Sequence, residues 1–458
     1  MEKVKIGFVP CHRKHWHTHW AIEMRARTVK ALKAIPFIEV VAPDAALVPD
    51  GLVSDDSDAE RVIELFRREK VWGVLLGTMN FGDEVAAAVT ANALRLPTML
   101  FATKEGPFTE DNDRLSDSFC GTLSVSSALV RRKLPFTFGG ILFPEEKQFA
   151  EQVERFARAC CVHHAFYDAK VGLVGHRPVR FETCSYNEHY LIERFRQRVV
   201  PLEMIAAVEM AKAMADVDAI AAIVKDVTSK AEVHVSDESL DHGARFEETI
   251  YRWAKRDGLA CVAVSCWPAI MQYYHTNACI ALGRLTERGL MAACEADVHG
   301  ALSMLVQHAA MLRDAVPHFI DWTIQHQDDP NVFLAWHCGN APMCLNREGG
   351  HIHVRGQGQD PASWKGTAEF GLKEGLVTLT RLVEYDGHFK MLVTTGQVEP
   401  DQRELRGSWA WVRVADLAGL YRRLVEEGFI HHASMIYGDC TGPIIDFCKF
   451  AGIETVVV

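Results

Sequence analysis

The sequence lacks the features that mark membrane, secreted and nucleic-acid-binding proteins. No segment approaches the about 20 uninterrupted apolar residues of a membrane-spanning helix, so no membrane association is expected. The N-terminus has neither the apolar stretch nor the small-residue cleavage site of a signal peptide, which predicts a cytoplasmic protein. The net charge is −11 and no long basic run occurs, so a nucleic-acid partner is not expected either.

Disulfide and nucleotide-binding patterns are also missing. The 13 cysteines follow no regular disulfide framework, and most are expected to be buried thiols. The Gly-rich run that begins at Gly356 lacks the Lys-Ser/Thr of a phosphate loop and the spacing of a dinucleotide fingerprint. A nucleotide cofactor is therefore not indicated.

The sequence does contain the pattern of a multidomain α/β protein, because 458 residues exceed what one core usually organises. Short apolar runs alternate with amphipathic stretches in the first part, which is typical of a parallel sheet with crossover helices. We predict two doubly wound α/β domains, over residues 1–167 and 168–330. A β-rich C-terminal domain, an antiparallel sheet or barrel, is predicted over 331–458, where apolar runs are separated by Gly-rich turns.

Individual elements follow from the same patterns. Predicted strands in the first domain are Val4–Val9, Ile38–Val41, Val71–Leu76 and Thr98–Ala102, and predicted helices are Ile22–Ile35, Ala59–Lys70, Glu84–Leu96 and Glu145–His164. The second domain is predicted to have helices at Pro201–Lys225 and Ser239–Asp257 and strands at Leu259–Ser265, Leu290–Cys294 and His318–Asp321.

Acidic residues at strand ends are the first candidates for a functional site. Glu295 and Asp297 directly follow an apolar strand and precede a helix, and Asp321 lies among aromatic and aliphatic residues. Ligands bind at strand ends in α/β sheets, and a buried acid requires a partner such as a cation. Helix capping by Glu295 or Asp297, and a solvent-exposed strand end for Asp321, remain open alternatives.

Histidines at two further places extend this set. His337 ends the apolar run Val332–His337, where a purely structural histidine is the competing interpretation. His431 and His432 follow the predicted helix Ala415–Glu427, and because adjacent side chains point differently, at most one of them is expected to ligate a metal. Carboxylates and imidazoles from separated strand ends match the donors that bind a Mn²⁺-like ion.

The joint pattern resembles the L-fucose and L-arabinose isomerases. The run from Glu295 into the following helix resembles the L-fucose isomerase segment with a metal-binding glutamate, and Asp321 lies near the spacing of that family's metal-binding aspartate. The stretch from Asp321 to His337, and the turn Gly428–His432, are similar to L-arabinose isomerase sequences with acidic and histidine ligands. Two departures are present: arabinose isomerases carry glutamate at the position of Asp321, and fucose isomerases have no obvious equivalent of His337.

The resemblance implies an aldose–ketose isomerase that acts on a free pentose, deoxyhexose or hexose through an enediol. It implies Glu295, Asp321, His432 and His337 as ligands of Mn²⁺, or alternatively of Co²⁺ or Mg²⁺, with Glu295 and Asp321 also moving protons. Two other functions remain open: a metal-dependent lyase or epimerase acting on a sugar acid, and a non-catalytic sugar-binding protein.

Substrate contacts are predicted outside the metal ligands. The segment Cys11–Trp20 carries four histidines, and Arg13 and His17 within it are predicted to contact the sugar; a dedicated metal site in this segment is the less favoured interpretation. Trp267 is a candidate for stacking on the sugar, with core packing as the alternative, and His431 is a further contact. The resemblance also implies a homo-oligomer, a trimer or hexamer, whose sites are completed by the N-terminal domain of an adjacent subunit.

Overall fold

A computed structural model describes residues 3–356, 365–401 and 403–458. The chain divides into two units, Met1–His164 with Ile445–Gly452, and Ala165–Ile444 with Ile453–Val458. The first division lies close to the boundary predicted at residue 167. Residues on both sides of the boundary predicted at 330 belong to the second unit.

The first unit is built on a parallel five-stranded sheet. Its elements are β1 (Val4–Cys11), α1 (Thr18–Lys33), β2 (Ile38–Val41), α2 (Asp56–Glu69), β3 (Gly73–Thr78), α3 (Glu84–Leu94), β4 (Thr98–Ala102), α4 (Ser118–Arg131), β5 (Thr137–Ile141) and α5 (Lys147–Phe166). The strand order β2-β1-β3-β4-β5 is that of a doubly wound sheet, as predicted. The sequence pattern predicts four of the five strands, but α4 and β5 are not among the predicted elements.

Burial on both sheet faces explains why these strands consist of continuous apolar runs. Every residue of β3 and β4 is buried, because helices cover the sheet on both sides. Helix α2 shows how the covering helices are specified: Asp55 accepts a hydrogen bond from the backbone N–H of Asp58 at the N-terminus, and Val62 and Phe66 are buried on one face.

The second unit begins with a smaller parallel sheet and its helices. Its first elements are β6 (Lys170–Val174), α6 (Glu188–Phe195), β7 (Arg198–Leu202), α7 (Met204–Lys212), α8 (Val217–Lys230), β8 (Glu232–Val233), α9 (Asp237–Asp257), β9 (Cys261–Val264), α10 (Ala269–Tyr274), α11 (Cys279–Glu287), β10 (Met291–Ala293) and α12 (Val298–Ala310). The sheet order is β10-β9-β6-β7, and all its pairs are parallel.

The predicted long helix Pro201–Lys225 is wrong. Pro201 lies in β7, where it pairs with Leu173 of β6, and the helical part is divided into α7 and α8. The break has a local cause, because the side chain of Asp216 accepts a hydrogen bond from the backbone N–H of Ala219 and so starts a new helix.

The remainder of the second unit forms an antiparallel barrel, as predicted. Its elements are β11 (His318–Gln325), β12 (Val332–His337), β13 (His353–Arg355), β14 (Thr367–Gly371), β15 (Gly375–Tyr385), β16 (His388–Glu399), β17 (Ser408–Arg413), α13 (Leu417–Glu426), β18 (His432–Tyr437), α14 (Thr441–Ala451), which continues into the first unit, and β19 (Glu454–Val457). Strands β16-β15-β18-β11-β12-β17 follow one another, and pairing of β16 with β17 closes a six-stranded ring. Extra strands flank this ring, and Asp321 lies on a barrel strand instead of in the parallel sheet.

Helix α12 lies between the small parallel sheet and the barrel. It contacts β9 and β10 on one side and β15 and β18 on the other. All of its residues are buried, including the polar residues His299, Ser303, Gln307 and His308. The residues that immediately precede this helix therefore lie where the sheet and the barrel meet.

The helices and the cysteines bear on the membrane and disulfide patterns considered in the sequence. None of the described helices is long and apolar enough to cross a bilayer. All the cysteines are buried except Cys120, Cys338 and Cys344, as expected for a chain in which thiols act as small apolar residues.

Candidate active site

The acids and histidines singled out in the sequence meet at the end of β10 and on two neighbouring barrel strands. Asp321 of β11 and His432 of β18 are directly opposite each other in an antiparallel pair, so their side chains lie on the same face of the barrel. Glu295 reaches the same place from the turn between β10 and α12: its Oε2 lies 2.8 Å from Nε2 of His432, and Oδ1 of Asp321 lies 3.7 Å from that nitrogen. We call Glu295, Asp321 and His432 the carboxylate–imidazole site.

The turn that carries Glu295 has an unusual backbone. Glu295 and Ala296 both have left-handed conformations, with φ values of 59° and 56°, which non-glycine residues adopt at a cost of about 1–3 kcal/mol each. Hydrogen bonds from the N–H of Ala296 to Val264 and from the N–H of Asp297 to Cys294 hold the turn. This backbone turn points the side chain of Glu295 toward His432, and two residues later Asp297 caps the N-terminus of α12.

His432 is held from both of its ring nitrogens and is completely buried. Nδ1 lies 2.8 Å from Oδ2 of Asp297, opposite the nitrogen that faces Glu295. Burial lowers the pKa of His432, but hydrogen bonds with Asp297, Cys184 and Glu295 outweigh this effect and raise it well above its ordinary value. A carboxylate on Nδ1 fixes the ring orientation and leaves Nε2 directed toward the site, an arrangement common for metal-bound histidines.

Two further charged residues, Asp297 and Arg381, support His432; Asp297 is among the acids that the sequence singles out, whereas Arg381 is not predicted. Asp297 caps α12 by accepting from the N–H of Gly300 at 2.8 Å, which was the alternative considered for it, and it also contacts His432. Arg381 of β15 forms a two-point ion pair with Asp297, and both side chains are 1% exposed. The sequence does contain a signal for Arg381, because it lies within the apolar run of β15. A buried cation rarely occurs without a partner, so an arginine in such a run indicates a buried acid nearby.

The two acids of the site have different electrostatic environments. Burial would raise the pKa of Glu295, but the hydrogen bond with His432 and the nearby positive histidines lower it overall. For Asp321 burial has the largest effect, and the pKa is raised. Pairs of acids whose pKa values are pushed apart are typical of sites in which protons are moved.

The residues present fit a divalent metal ion. Oδ1 of Asp321 and Nε2 of His337 are buried without a hydrogen-bond partner among the described residues. Ligand atoms of Asp321, His337 and His432 lie within 4.8 Å of one another, as do those of Cys184, Glu295 and His432. Atoms this close can share one ion at about 2.0–2.4 Å, and an ion would supply the missing partner for Asp321.

His337 lies beside this group, but its hydrogen bonding differs from that of His432. The backbone N–H of Cys338 donates to Nδ1 of His337 at 2.9 Å. In a neutral ring this leaves the hydrogen on Nε2, which then acts as a donor and has no lone pair for a metal. A ligand role for His337 stays a prediction, as do the ligand roles of Glu295, Asp321 and His432.

Trp267 and His431 lie next to the carboxylate–imidazole site. The ring of Phe181 contacts both edge-on, with centroids 5.7 Å from Trp267 and 5.9 Å from His431. The ring of His431 is 4.1 Å from that of His432. Trp267 is half-buried and His431 is exposed, so both have surface available for a substrate, and their sugar-binding roles stay predictions.

Arg13 and His17 belong to the first unit, in the segment that follows β1. Nε of Arg13 donates to the carbonyl of Gly82 at 3.1 Å, and its guanidinium lies over the ring of Phe81. Nε2 of His17 is 3.6 Å from Oδ2 of Asp113. Both side chains are partly exposed, and their predicted contacts with substrate stay predictions.

Two family models match the N-terminal and C-terminal parts of the chain, and several known proteins resemble it over all or most of its length. Residues 7–167 match the fucose/sulfoquinovose isomerase N-terminal domain, and residues 336–458 match the L-fucose isomerase C-terminal domain. Sulfoquinovose isomerases of Priestia aryabhattai and Priestia megaterium are each 24% identical to the chain over 462 residues, which covers 100% of both sequences. A sulfoquinovose isomerase of Clostridium sp. (strain MSTE9) is 25% identical over 395 residues, covering 84% of this chain and 86% of the relative.

Proposed function

The chain belongs to the L-fucose isomerase-like superfamily of sugar isomerases, and from this premise we propose that it interconverts an aldose and its ketose with a divalent metal ion bound by Glu295, Asp321 and His432. The convergence of these three side chains, which come from the turn after β10 and from two adjacent barrel strands, is the observation that carries the proposal. Mn²⁺ is the expected ion, with Co²⁺ or Mg²⁺ as alternatives, because the donors are two carboxylates and one imidazole.

The reaction moves a proton between C1 and C2 and requires a base, an acid and positive charge beside two substrate oxygens. When bound, a divalent ion supplies that positive charge and acidifies the C–H bond. Glu295 and Asp321 are the groups that accept and return protons, since both carboxyls face the same space from different elements. Asp297 and Arg381, both 1% exposed, hold His432 in one orientation.

Sulfoquinovose is the first substrate to test. The similarity to sulfoquinovose isomerases extends over the whole length of the chain. It therefore includes the residues proposed to bind the substrate as well as those proposed to bind the metal ion. This choice narrows the prediction of a pentose, deoxyhexose or hexose to a hexose with an anionic substituent.

A single screen tests reaction type, substrate and metal together. The purified protein is stripped with EDTA, reloaded with Mn²⁺, Co²⁺ or Mg²⁺, and incubated with sulfoquinovose, L-fucose, L-arabinose and D-glucose, with ketose formation followed by NMR. We expect isomerisation that disappears with EDTA and returns with metal. Activity that is insensitive to EDTA would overturn the metal assignment, and elimination or epimer products would indicate a lyase or epimerase.

A further inference from the structure

A cavity of about 640 Å³ adjoins the carboxylate–imidazole site within the second unit. It lies beyond the carboxyl end of β6 and is lined by the segment that follows this strand, by Cys184 and by Ala296. Ala296 is the chain neighbour of Glu295, and Sγ of Cys184 is 3.8 Å from Nδ1 of His432. The volume falls in the range of small-molecule sites, and the strand end is where such sites form in α/β sheets.

Two arginines of this wall have no acidic partner. Arg177 and Arg180 both line the cavity and are exposed, and no hydrogen bond or ion pair joins either to another described residue. Most arginines of the chain pair with carboxylates, as Arg381 and Arg284 do. The only acid among the lining residues is Glu182, so the two guanidinium groups leave this wall with an excess of positive charge.

The segment that carries these arginines is anchored to the site. Phe181, the neighbour of Arg180, packs its ring between Trp267 and His431. The N–H of Phe181 donates to the carbonyl of Pro178 at 3.1 Å, which closes a turn that contains Arg180 and directly follows Arg177. The turn that carries Arg180 is therefore in contact with Trp267 and with His431, the chain neighbour of His432.

We propose that Arg177 and Arg180 bind a tetrahedral anionic group at C6 of the sugar substrate, while C1 and C2 lie at the carboxylate–imidazole site. This inference rests on the proposed isomerase function and adds the residues that select the substrate. Sulfoquinovose is a hexose with a sulfonate at C6, the end of the molecule opposite the reacting carbons. A local cation pair is needed because the protein as a whole carries a net charge of −11, which repels an anionic substrate.

Guanidinium groups suit this ligand better than ammonium groups do. Each presents paired N–H donors that match two oxygens of a sulfonate or phosphate. A sulfonate and a phosphate ester share this chemistry but differ in charge, since the phosphate carries about −1.5 to −2 at neutral pH. Comparison of sulfoquinovose with glucose 6-phosphate therefore identifies which anion the cavity takes.

The test compares Arg177→Gln, Arg180→Gln and the double variant with the wild type and with Arg422→Gln, which removes an exposed arginine on α13 outside the cavity. Steady-state kinetics are measured with sulfoquinovose, glucose 6-phosphate and 6-deoxyglucose, the last of which has hydrogen in place of the sulfonate. We expect KM for the preferred anionic sugar to rise about tenfold to 100-fold for each arginine lost, with kcat nearly constant. Turnover of 6-deoxyglucose should be the same in every variant.

Binding is measured separately so that the result does not depend on turnover. Methanesulfonate and inorganic phosphate are titrated while tryptophan fluorescence is recorded, because Trp267 packs against the arginine-bearing segment through Phe181. Wild-type binding that weakens in the double variant supports the inference even if every sugar tested proves to be a poor substrate. Equal losses on charged and neutral sugars, an unchanged KM, or the absence of anion binding would overturn it, and isomerase activity on neutral sugars would then leave the proposed function in place.

Discussion

At the residue scale, the imidazole of His432 connects two carboxylates with different tasks. Asp297 contacts Nδ1 from the buried side and is itself neutralised by Arg381, whereas Glu295 contacts Nε2 from the side that Asp321 also faces. The buried pair can hold the ring without reacting, because its charges are mutually satisfied. On the open side, the buried oxygen Oδ1 of Asp321 has no hydrogen-bond partner among the described residues, so a cation there would supply one.

Replacing either acid of the open side should abolish most turnover with little effect on folding. Glu295→Gln and Asp321→Asn each remove a charged ligand and a proton-transfer group, and the latter role alone accounts for about 10²–10⁴-fold in rate. The measurement is kcat on the best sugar from the screen, with thermal unfolding recorded in parallel. Glu426→Gln, an exposed acid on α13, is the matched control. Near-normal kcat in either site variant would remove that residue from the mechanism.

Asp297→Asn should weaken both metal binding and the fold. It leaves Arg381 without its counter-charge in a site that is 1% exposed, and loss of one partner of a buried ion pair costs about 3–5 kcal/mol. It also loosens the ring of His432, and such supporting contacts are worth roughly 10–100-fold in metal affinity. Urea unfolding and Mn²⁺ titration by calorimetry measure the two effects. A variant with unchanged Mn²⁺ affinity would show that Asp297 serves only the fold.

His299 should make the fold sensitive to mild acid. Burial first, and then the charge of Arg381, lower its pKa to about 4 from the ordinary 6.5, and its Nε2 has no hydrogen-bond partner among the described residues. Above pH 6.5 the ring is neutral in both the folded and the unfolded chain, so its titration does not change the free energy of unfolding. As the pH falls through 6.5 toward 4 only the unfolded chain gains the proton, so about 3 kcal/mol of stability is lost.

The measurement for His299 is the free energy of unfolding in urea between pH 4.5 and 7.5. His299→Gln should give a shallower decline with falling pH than the wild type, and His189→Gln, which changes an exposed histidine, should follow the wild type. Parallel curves for the wild type and His299→Gln would contradict the assignment.

At the scale of elements, close backbone packing explains several glycines within helices. A Cβ at Gly121 of α4 would lie 1.7 Å from the carbonyl oxygen of Phe81, which the backbone cannot accommodate without moving. A Cβ at Gly300 of α12 would lie 2.5 Å from the ring of Phe319. At Gly243 of α9 the nearest atom is a hydroxyl at 3.4 Å, so this glycine is not required by packing.

Gly121→Ala and Gly243→Ala should therefore change stability in opposite directions. The first forces α4 away from the segment at Phe81 and should cost roughly 1–3 kcal/mol or more. The second replaces a poor helix former with the best one and should add up to about 1 kcal/mol. Thermal unfolding of both variants measures the difference. A stabilising Gly121→Ala would show that α4 can shift without cost.

At the scale of the whole molecule, assembly stays a prediction. The segment Cys11–Trp20 combines aromatic and cationic side chains of the kind enriched at interfaces, and both isomerase families that the sequence resembles imply a homo-oligomer. We expect a trimer or hexamer by light scattering, and a monomer would end the proposal. Mixing inactive Glu295→Gln with an inactive Arg13→Gln variant should restore activity if sites are shared between subunits, whereas no recovery after verified subunit exchange would show that each chain builds its own site.

The sequence by itself determined the features that depend on neighbouring residues along the chain. Continuous apolar runs identified the buried parallel strands, and runs separated by glycine-rich turns identified the barrel, because each pattern reflects how many faces of a strand are covered. Glu295 was recognisable in the same way, as an acid that directly follows a strand. Helices α7 and α8 were not separated, since a cap at Asp216 interrupts a stretch whose apolar pattern continues.

Only the tertiary structure decided which distant side chains share a site. Asp297 meets Arg381 across 84 positions and His432 across 135, and such separations leave no local pattern. The strained turn positions Glu295, and the pairing of β11 with β18 places Asp321 opposite His432, so these three side chains meet. The same holds for Arg177 and Arg180, because only folding places these two cations on the wall of a cavity that Ala296, the chain neighbour of Glu295, also lines.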